Sequence, residues 1–199
     1  MDVTSLQQIG PYTVERFIDE GAFAWVFEVI DPKFSGRRLA LKMLKPEAAA
    51  GEEFRRFQSE ARLLAQIDHP NLVTIFDFGK DEVTDNFYYV MTFVDGPTLK
   101  ERLKEGPLAI EVAVPIFVSV LDGLARLHDN GVVHRDIKPA NVLLGRDGRA
   151  RLADLGIARV QAEGGQTRTG VAVGTALYMS PEQARVGRWT RAATSSRWD

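Results

Sequence analysis

The sequence predicts an α+β protein in two parts, a β-rich front half and a helical back half hinged near Asp95. Three observations carry this. Residues Tyr12 to Leu44 hold three short β-branched or aromatic segments separated by turn signals; Ile110 to Asn130 is one long stretch of helical texture; and Asp95-Gly96-Pro97 stands between the two regimes.

The first three strands are expected at Tyr12–Ile18, Trp25–Ile30 and Arg38–Leu44, with Gly21 and the Pro32–Gly36 stretch breaking them apart. Phe54, Phe57, Ala61, Leu64 and Ala65 then recur at helical spacing with charges between them, which predicts a helix over Phe54–Ile67, stopped by His69-Pro70-Asn71. Two more strands, Leu72–Phe78 and Phe87–Val94, flank a charged turn. Helix Ile110–Asn130 closes at Gly131, a residue that readily takes the left-handed stop conformation. Short strands at Val142–Leu144 and Ala150–Ala153 surround the turn Arg146-Asp147-Gly148, and no internal repeat is visible.

Composition narrows the class. With 199 residues, 45% hydrophobic and 26% charged, the chain can bury a core and is neither a disordered tail nor a low-complexity array. Zero cysteines exclude a disulfide scaffold, a thiolate nucleophile and a cysteine-rich metal module. The net charge of −2 supplies no global field for nucleic acid or membranes. The two parts differ, however. Residues 1–130 carry 14 basic and 21 acidic side chains, a balance of −7, whereas residues 131–199 carry 11 and 6, a balance of +5. Met1–Gly10 lacks the basic start and apolar stretch of a signal peptide, and the longest apolar run, Val112–Leu121, is interrupted by Pro115 and Ser119. The expectation is a cytoplasmic chain with no membrane segment.

The richest stretch is His134-Arg135-Asp136-Ile137-Lys138-Pro139-Ala140-Asn141, followed by Asp154-Leu155-Gly156. Here the sequence resembles a eukaryotic-type protein kinase, and closely a bacterial serine/threonine kinase, whose signature is a catalytic Asp, an Asn five residues on, and a second Asp before a Gly. Moving a γ-phosphoryl group asks for metal positioning, charge neutralisation and an acceptor for the hydroxyl proton. Oxygen ligands suit Mg²⁺. The resemblance implies Asp136 as base, Asn141 and Asp154 as metal ligands, Lys138 as a cation near the transferred phosphate, and ATP with Mg²⁺ as cofactors. It also implies a two-lobed protein-kinase-like fold acting on serine or threonine of protein substrates, with kinase dimerisation as a route to autophosphorylation.

The same resemblance makes Lys42, in Leu39-Ala40-Leu41-Lys42, the nucleotide lysine and Glu60 its ion-pair partner. The Gly-rich loop is the poorest match. In Ile18-Asp19-Glu20-Gly21-Ala22-Phe23-Ala24-Trp25-Val26 only Gly21 of three glycines is present, and Asp19 puts a carboxylate and a β-carbon where a glycine is expected, which should weaken nucleotide binding. Val26, Ala40, Met91, Val94 and Leu143 are the implied adenine-slot residues, and Thr92–Val94 the implied hinge; each apolar one taken alone reads equally well as ordinary core.

Between Asp154 and Glu182 an activation segment is expected. Thr167 and Thr169 are its candidate phosphorylation sites, and Arg135 is the cation that would pair with the added phosphate. Gly174-Thr175 and Ser180-Pro181-Glu182 match the family's substrate-docking end. His69, His128 and His134 share no metal-ligand spacing; His134 reads as an anchor of the catalytic loop and the other two as helix-end packing residues. The domain reading is a nucleotide-binding lobe over residues 10–95, a partial second lobe over 96–185 with the catalytic loop and activation segment, and a non-family tail over 186–199. The tail has no helical periodicity, and the codons that Trp189-Thr190 and Trp198-Asp199 require can encode the family's continuation in another frame, so a frameshift near Val186–Arg188 is expected, to be decided by resequencing. Two other classes stay open: a pseudokinase-type binding module, suggested by Asp19, and an inactive truncated fragment. A dinucleotide-binding enzyme is disfavoured because the three-glycine fingerprint is absent.

Overall fold

The computed structural model describes residues 3–34, 36–49, 51–154 and Tyr178. They fall into two compact units, one made of residues up to Asp68 together with Val73–Val94, the other of His69–Leu72 together with residues from Asp95 onward.

The first unit is a six-stranded antiparallel sheet: β1 (Gln8–Ile9), β2 (Tyr12–Glu20), β3 (Ala24–Ile30), β4 (Arg38–Leu44), β5 (Ile75–Lys80) and β6 (Phe87–Thr92), in the order β1-β2-β3-β4-β6-β5. Alternation explains its two faces. Phe27, Val29, Leu39, Leu41, Met43, Tyr88 and Val90 point to one side, where Ile9 and Tyr12 join them in a buried core. The in-between positions carry the other face. Direct cross-strand partners share a face, and the register pairs Val26 with Lys42, Lys42 with Tyr89, and Ala40 with Met91. Helix α1 (Glu52–Leu64) packs Phe57 against Tyr89, with ring centroids 4.7 Å apart. At the far end, the fully engaged Asp81 carboxylate accepts from Gly10 N, Thr84 N and the Thr84 hydroxyl, all at 2.7–2.8 Å, pinning the strand start to the β5–β6 turn.

The second unit begins with α2 (Leu99–Lys104), opened by a capping box: Thr98 Oγ1 accepts from Glu101 N and the Glu101 carboxylate accepts from Thr98 N. Helix α3 (Ile110–Asp129) buries Val120, Gly123, Leu124 and Leu127, is capped by Asn130 and is followed by Gly131, whose φ is +72°. The hairpin β7 (Val142–Leu144) and β8 (Ala150–Leu152) follows a 3₁₀ turn at Pro139–Asn141. Leu72 forms a parallel bridge to Leu152, and Asn71 Nδ2 donates to Ala150 O at 2.9 Å. The apolar run starting at Leu72 is therefore divided: the strand begins only at Ile75, because Asn71 and Leu72 pair with β8 in the other unit. Gly96 lies so close to Leu144 that any β-carbon would overlap that carbonyl oxygen.

Among the described residues no helix is long and apolar enough to cross a membrane.

Candidate active site

On the α1-covered face of the sheet, Lys42 Nζ stands 3.7 Å from Glu60 Oε1, and the Tyr89 hydroxyl donates to that same oxygen at 3.0 Å. The Lys42 ammonium also lies 5.7 Å from the Tyr89 ring centroid. Glu60 is 8% exposed and Tyr89 fully buried. A buried carboxylate needs partners of this kind, since an unpaired charge in a dry site is costly. Val26, Ala40 and Met91 share the sheet face of Lys42 by register, whereas Val94 lies beyond the end of β6.

The β2–β3 loop turns tightly: Gly21 N donates to Ala24 O at 2.8 Å. Asp19 directs Oδ1 to the next backbone N–H, that of Glu20, at 2.8 Å. Glu20 in turn pairs with Lys45 at 2.5 Å, and Lys45 lies over the Trp25 ring. The hydrogen bond and charge from Lys45 hold the Glu20 carboxyl below its usual range. Thr92 is tied to Thr74, its N–H donating to Thr74 O at 2.9 Å.

In the second unit the loop from His134 to Asn141 is built around a buried imidazole. His134 is fully buried, with Nε2 3.2 Å from Ala153 O and Nδ1 3.4 Å from Asp136 N. Desolvation drives its pKa down, against the opposing charges of Asp136 and Asp154, so the ring is neutral and donates from Nε2. Arg135 adopts φ +66° and Asp154 φ +55°, conformations uncommon for residues with a β-carbon. Lys138 Nζ lies 2.7 Å from Asp136 Oδ2. Asn141 Nδ2 donates to the Asp136 carbonyl at 2.8 Å and to Asp136 Oδ2 at 3.1 Å. With its amide nitrogen so engaged, Asn141 offers its carboxamide oxygen as the donor a hard cation would use. Ala153 N donates to Asn141 O at 2.9 Å, which couples the loop to the residue before Asp154. Leu143, on β7, bridges Thr98.

The structure thus brings together Lys42 with Glu60, and Asp136 with Lys138 and Asn141, and sets Asp154 near His134. Thr167, Thr169, Gly174-Thr175, Ser180-Pro181-Glu182 and the tail over 186–199 lie outside the described residues. His69 shows a local use: its Nδ1 accepts from Asn71 N at 3.2 Å in the turn that follows α1. Two contributors escape sequence reasoning. Tyr89 is one; beside Tyr88 in the same strand no local signal singles it out, and only its register opposite Lys42 does. Asn71 is the other, and only the tertiary pairing with β8 reveals it. Among the described residues no three His, Cys, Asp or Glu side chains cluster as a self-sufficient metal site. A site of one Asp and one Asn completed by phosphate oxygens would suit Mg²⁺, which keeps few protein ligands.

A family model described as the protein kinase domain matches residues 12–195. The chain belongs to the protein kinase family. Its relatives include the serine/threonine-protein kinase PknL of Mycobacterium tuberculosis, 41% identical over 178 residues, covering 88% of this chain and 44% of that protein. PrkC of Bacillus subtilis is 39% identical over 184 residues, covering 92% of this chain and 28% of PrkC. A probable serine/threonine-protein kinase of Streptomyces coelicolor is 40% identical, with 88% and 27% covered. The chain therefore spans less than half the length of these curated relatives. In fold it is similar to the crystal structure of the M. tuberculosis PknI kinase domain, at a TM-score of 0.71 and 30% identity, covering 97% of this chain and 72% of that one. The curated relatives are bacterial serine/threonine-protein kinases, and the first unit of this kinase-family chain is the β-rich lobe of the kinase fold.

Proposed function

We propose that the chain transfers the γ-phosphoryl group of ATP to serine or threonine of protein substrates. One observation carries the reading: Lys138 and Asn141 both converge on Oδ2 of Asp136, at 2.7 and 3.1 Å. That convergence fixes the carboxylate's orientation, as a base must be fixed before it can meet a hydroxyl proton. In this reading Asp136 accepts the proton, and Lys138 stands by the transferred phosphate. Asn141 and Asp154 hold Mg²⁺, which when bound neutralises charge on the phosphates. Lys42, braced by Glu60, meets the nucleotide phosphates, and Val26, Ala40, Met91, Val94 and Leu143 line the adenine slot. Arg135 would receive a phosphate from Thr167 or Thr169. The loop geometry, the donor chemistry and the family membership support these roles.

The test is transfer of label from ATP, with Mg²⁺, to a generic basic protein, beside Asp136→Asn. A base of this kind contributes about 10²–10⁴-fold, so the substituted protein should fall by at least about 10²-fold. Equal transfer by both proteins would overturn the assignment. A second reading, a nucleotide-binding module without transfer, is favoured by Asp19, whose carboxylate occupies the loop where a glycine is expected. Nucleotide binding with no transfer would select it.

A further inference from the structure

The Lys42–Glu60 contact, at 3.7 Å, is longer than a direct hydrogen bond, and a shorter contact to the same Glu60 oxygen comes from Tyr89, at 3.0 Å. Tyr89 is the direct cross-strand partner of Lys42, so backbone register alone puts the two side chains on one face. Its ring packs against Phe57, one turn before Glu60 on α1, and lies 5.7 Å below the Lys42 ammonium. The residue is completely buried. An aliphatic or phenyl side chain would fill that space at no polar cost, whereas a buried hydroxyl is tolerated only where it is bonded.

We propose that Tyr89 is a positioning residue for the Lys42–Glu60 pair. Its hydroxyl holds the Glu60 carboxylate while its ring seats the Phe57 face of α1, so one side chain on β6 sets both the acid and the helix that carries it. Delivery of the Lys42 ammonium to nucleotide phosphate is the consequence, and that last clause rests on the phosphoryl-transfer reading. A phenol that merely satisfied its own polarity would leave α1 and catalysis indifferent to its removal.

Tyr89→Phe removes the hydroxyl and keeps the ring. Amide hydrogen exchange on the full chain is expected to quicken about tenfold over Ala61–Leu64, the loss of one charge-assisted hydrogen bond, while β4 amides over Leu39–Met43 keep the parent's rates. In the transfer assay kcat should drop about tenfold with less change in the KM for ATP. Placed on a Glu60→Ala background, Tyr89→Phe should change kcat less than about twofold, because the group it acts through is gone. Parental exchange in α1, equal acceleration of α1 and β4, or an undiminished effect on the Glu60→Ala background each overturns the proposal. The exchange experiment needs no catalysis. If the parent transfers no phosphate, the functional reading fails while the exchange result still decides the role of Tyr89.

Discussion

Replacing His134 by Phe keeps a planar ring in the buried position, at a somewhat larger volume, and deletes both of its polar contacts. Ala153 O, at 3.2 Å from Nε2 in a buried position, and Asp136 N, at 3.4 Å from Nδ1 in a part-buried one, then lose their imidazole partner. Each unmet buried group costs about 1–3 kcal/mol, the longer contact at the low end, for a sum of about 2–4 kcal/mol. Against a typical domain stability of about 5–15 kcal/mol that is a large fraction. With an m-value of about 2 kcal/mol/M, the urea midpoint should fall by about 1–2 M. The pH dependence adds a second reading of the same residue. Burial lowers the folded pKa below the ordinary 6.5, so the neutral ring's contribution is complete above 6.5 and is lost as pH falls from there through the lowered folded value. His134→Phe has no such group. Its deficit should therefore narrow between pH 7 and pH 5. A midpoint shift under about 0.3 M, or a deficit that stays constant over that pH interval, would refute the reasoning.

Two further outcomes are expected. Gly96→Ala forces a methyl group onto the Leu144 carbonyl oxygen, a backbone atom with no rotamer to move into, so a loss of about 2 kcal/mol or more in thermal melting is predicted; a melting temperature within about 2 °C of the parent would show that the segment can yield. Burial works to raise the Asp81 pKa, but the bonds from Gly10 N and from the Thr84 hydroxyl and N–H outweigh it and hold the carboxylate below its usual value. Its contribution is thus present above the unfolded value near 3.8 and lost as pH falls through the folded one. Asp81→Asn should cost about 1–2 kcal/mol at pH 7 and progressively less below pH 4, and a pH-independent difference in urea melts would contradict this.

Much of the fold was legible where local pattern and burial agree. Strand Arg38–Leu44 and strand Val142–Leu144 form over the residues that their apolar runs indicate, and α3 ends within one residue of the predicted stop because Gly131 takes the left-handed conformation the terminus needs. Helix α1 starts two residues before the expected span, because Glu52 and Glu53 carry no apolar signal, and ends three residues before it, at Leu64. β1 and α2 were invisible: two residues carry no period, and a six-residue helix leans on its capping box more than on apolar spacing. In the loop from His134 to Asn141 a contiguous motif marks side chains that the structure holds together, Asp136 with Lys138 and Asn141. The pairing of Lys42 with Glu60, 3.7 Å apart, was indicated by the resemblance. The Tyr89 hydroxyl and Asn71 were not, because register and long-range pairing, which no local window contains, decide what they touch.

The four residues His69–Leu72 leave the first unit and return, so the polypeptide passes between the two units three times. A gene fragment opening at Asp95 would lack Asn71, whose amide holds Ala150 O across 79 positions of sequence, and Leu72, the bridge partner of Leu152. The β7–β8 hairpin would then emerge with one side of its strand unaccompanied. During synthesis the same wiring imposes an order: the first unit can close once residue 94 has emerged, but the second must wait for β8 to reach a segment made some eighty residues earlier. Neither a single cut nor a cyclic rearrangement of the chain can therefore divide this protein for separate expression, because the segments of the two units alternate along the sequence.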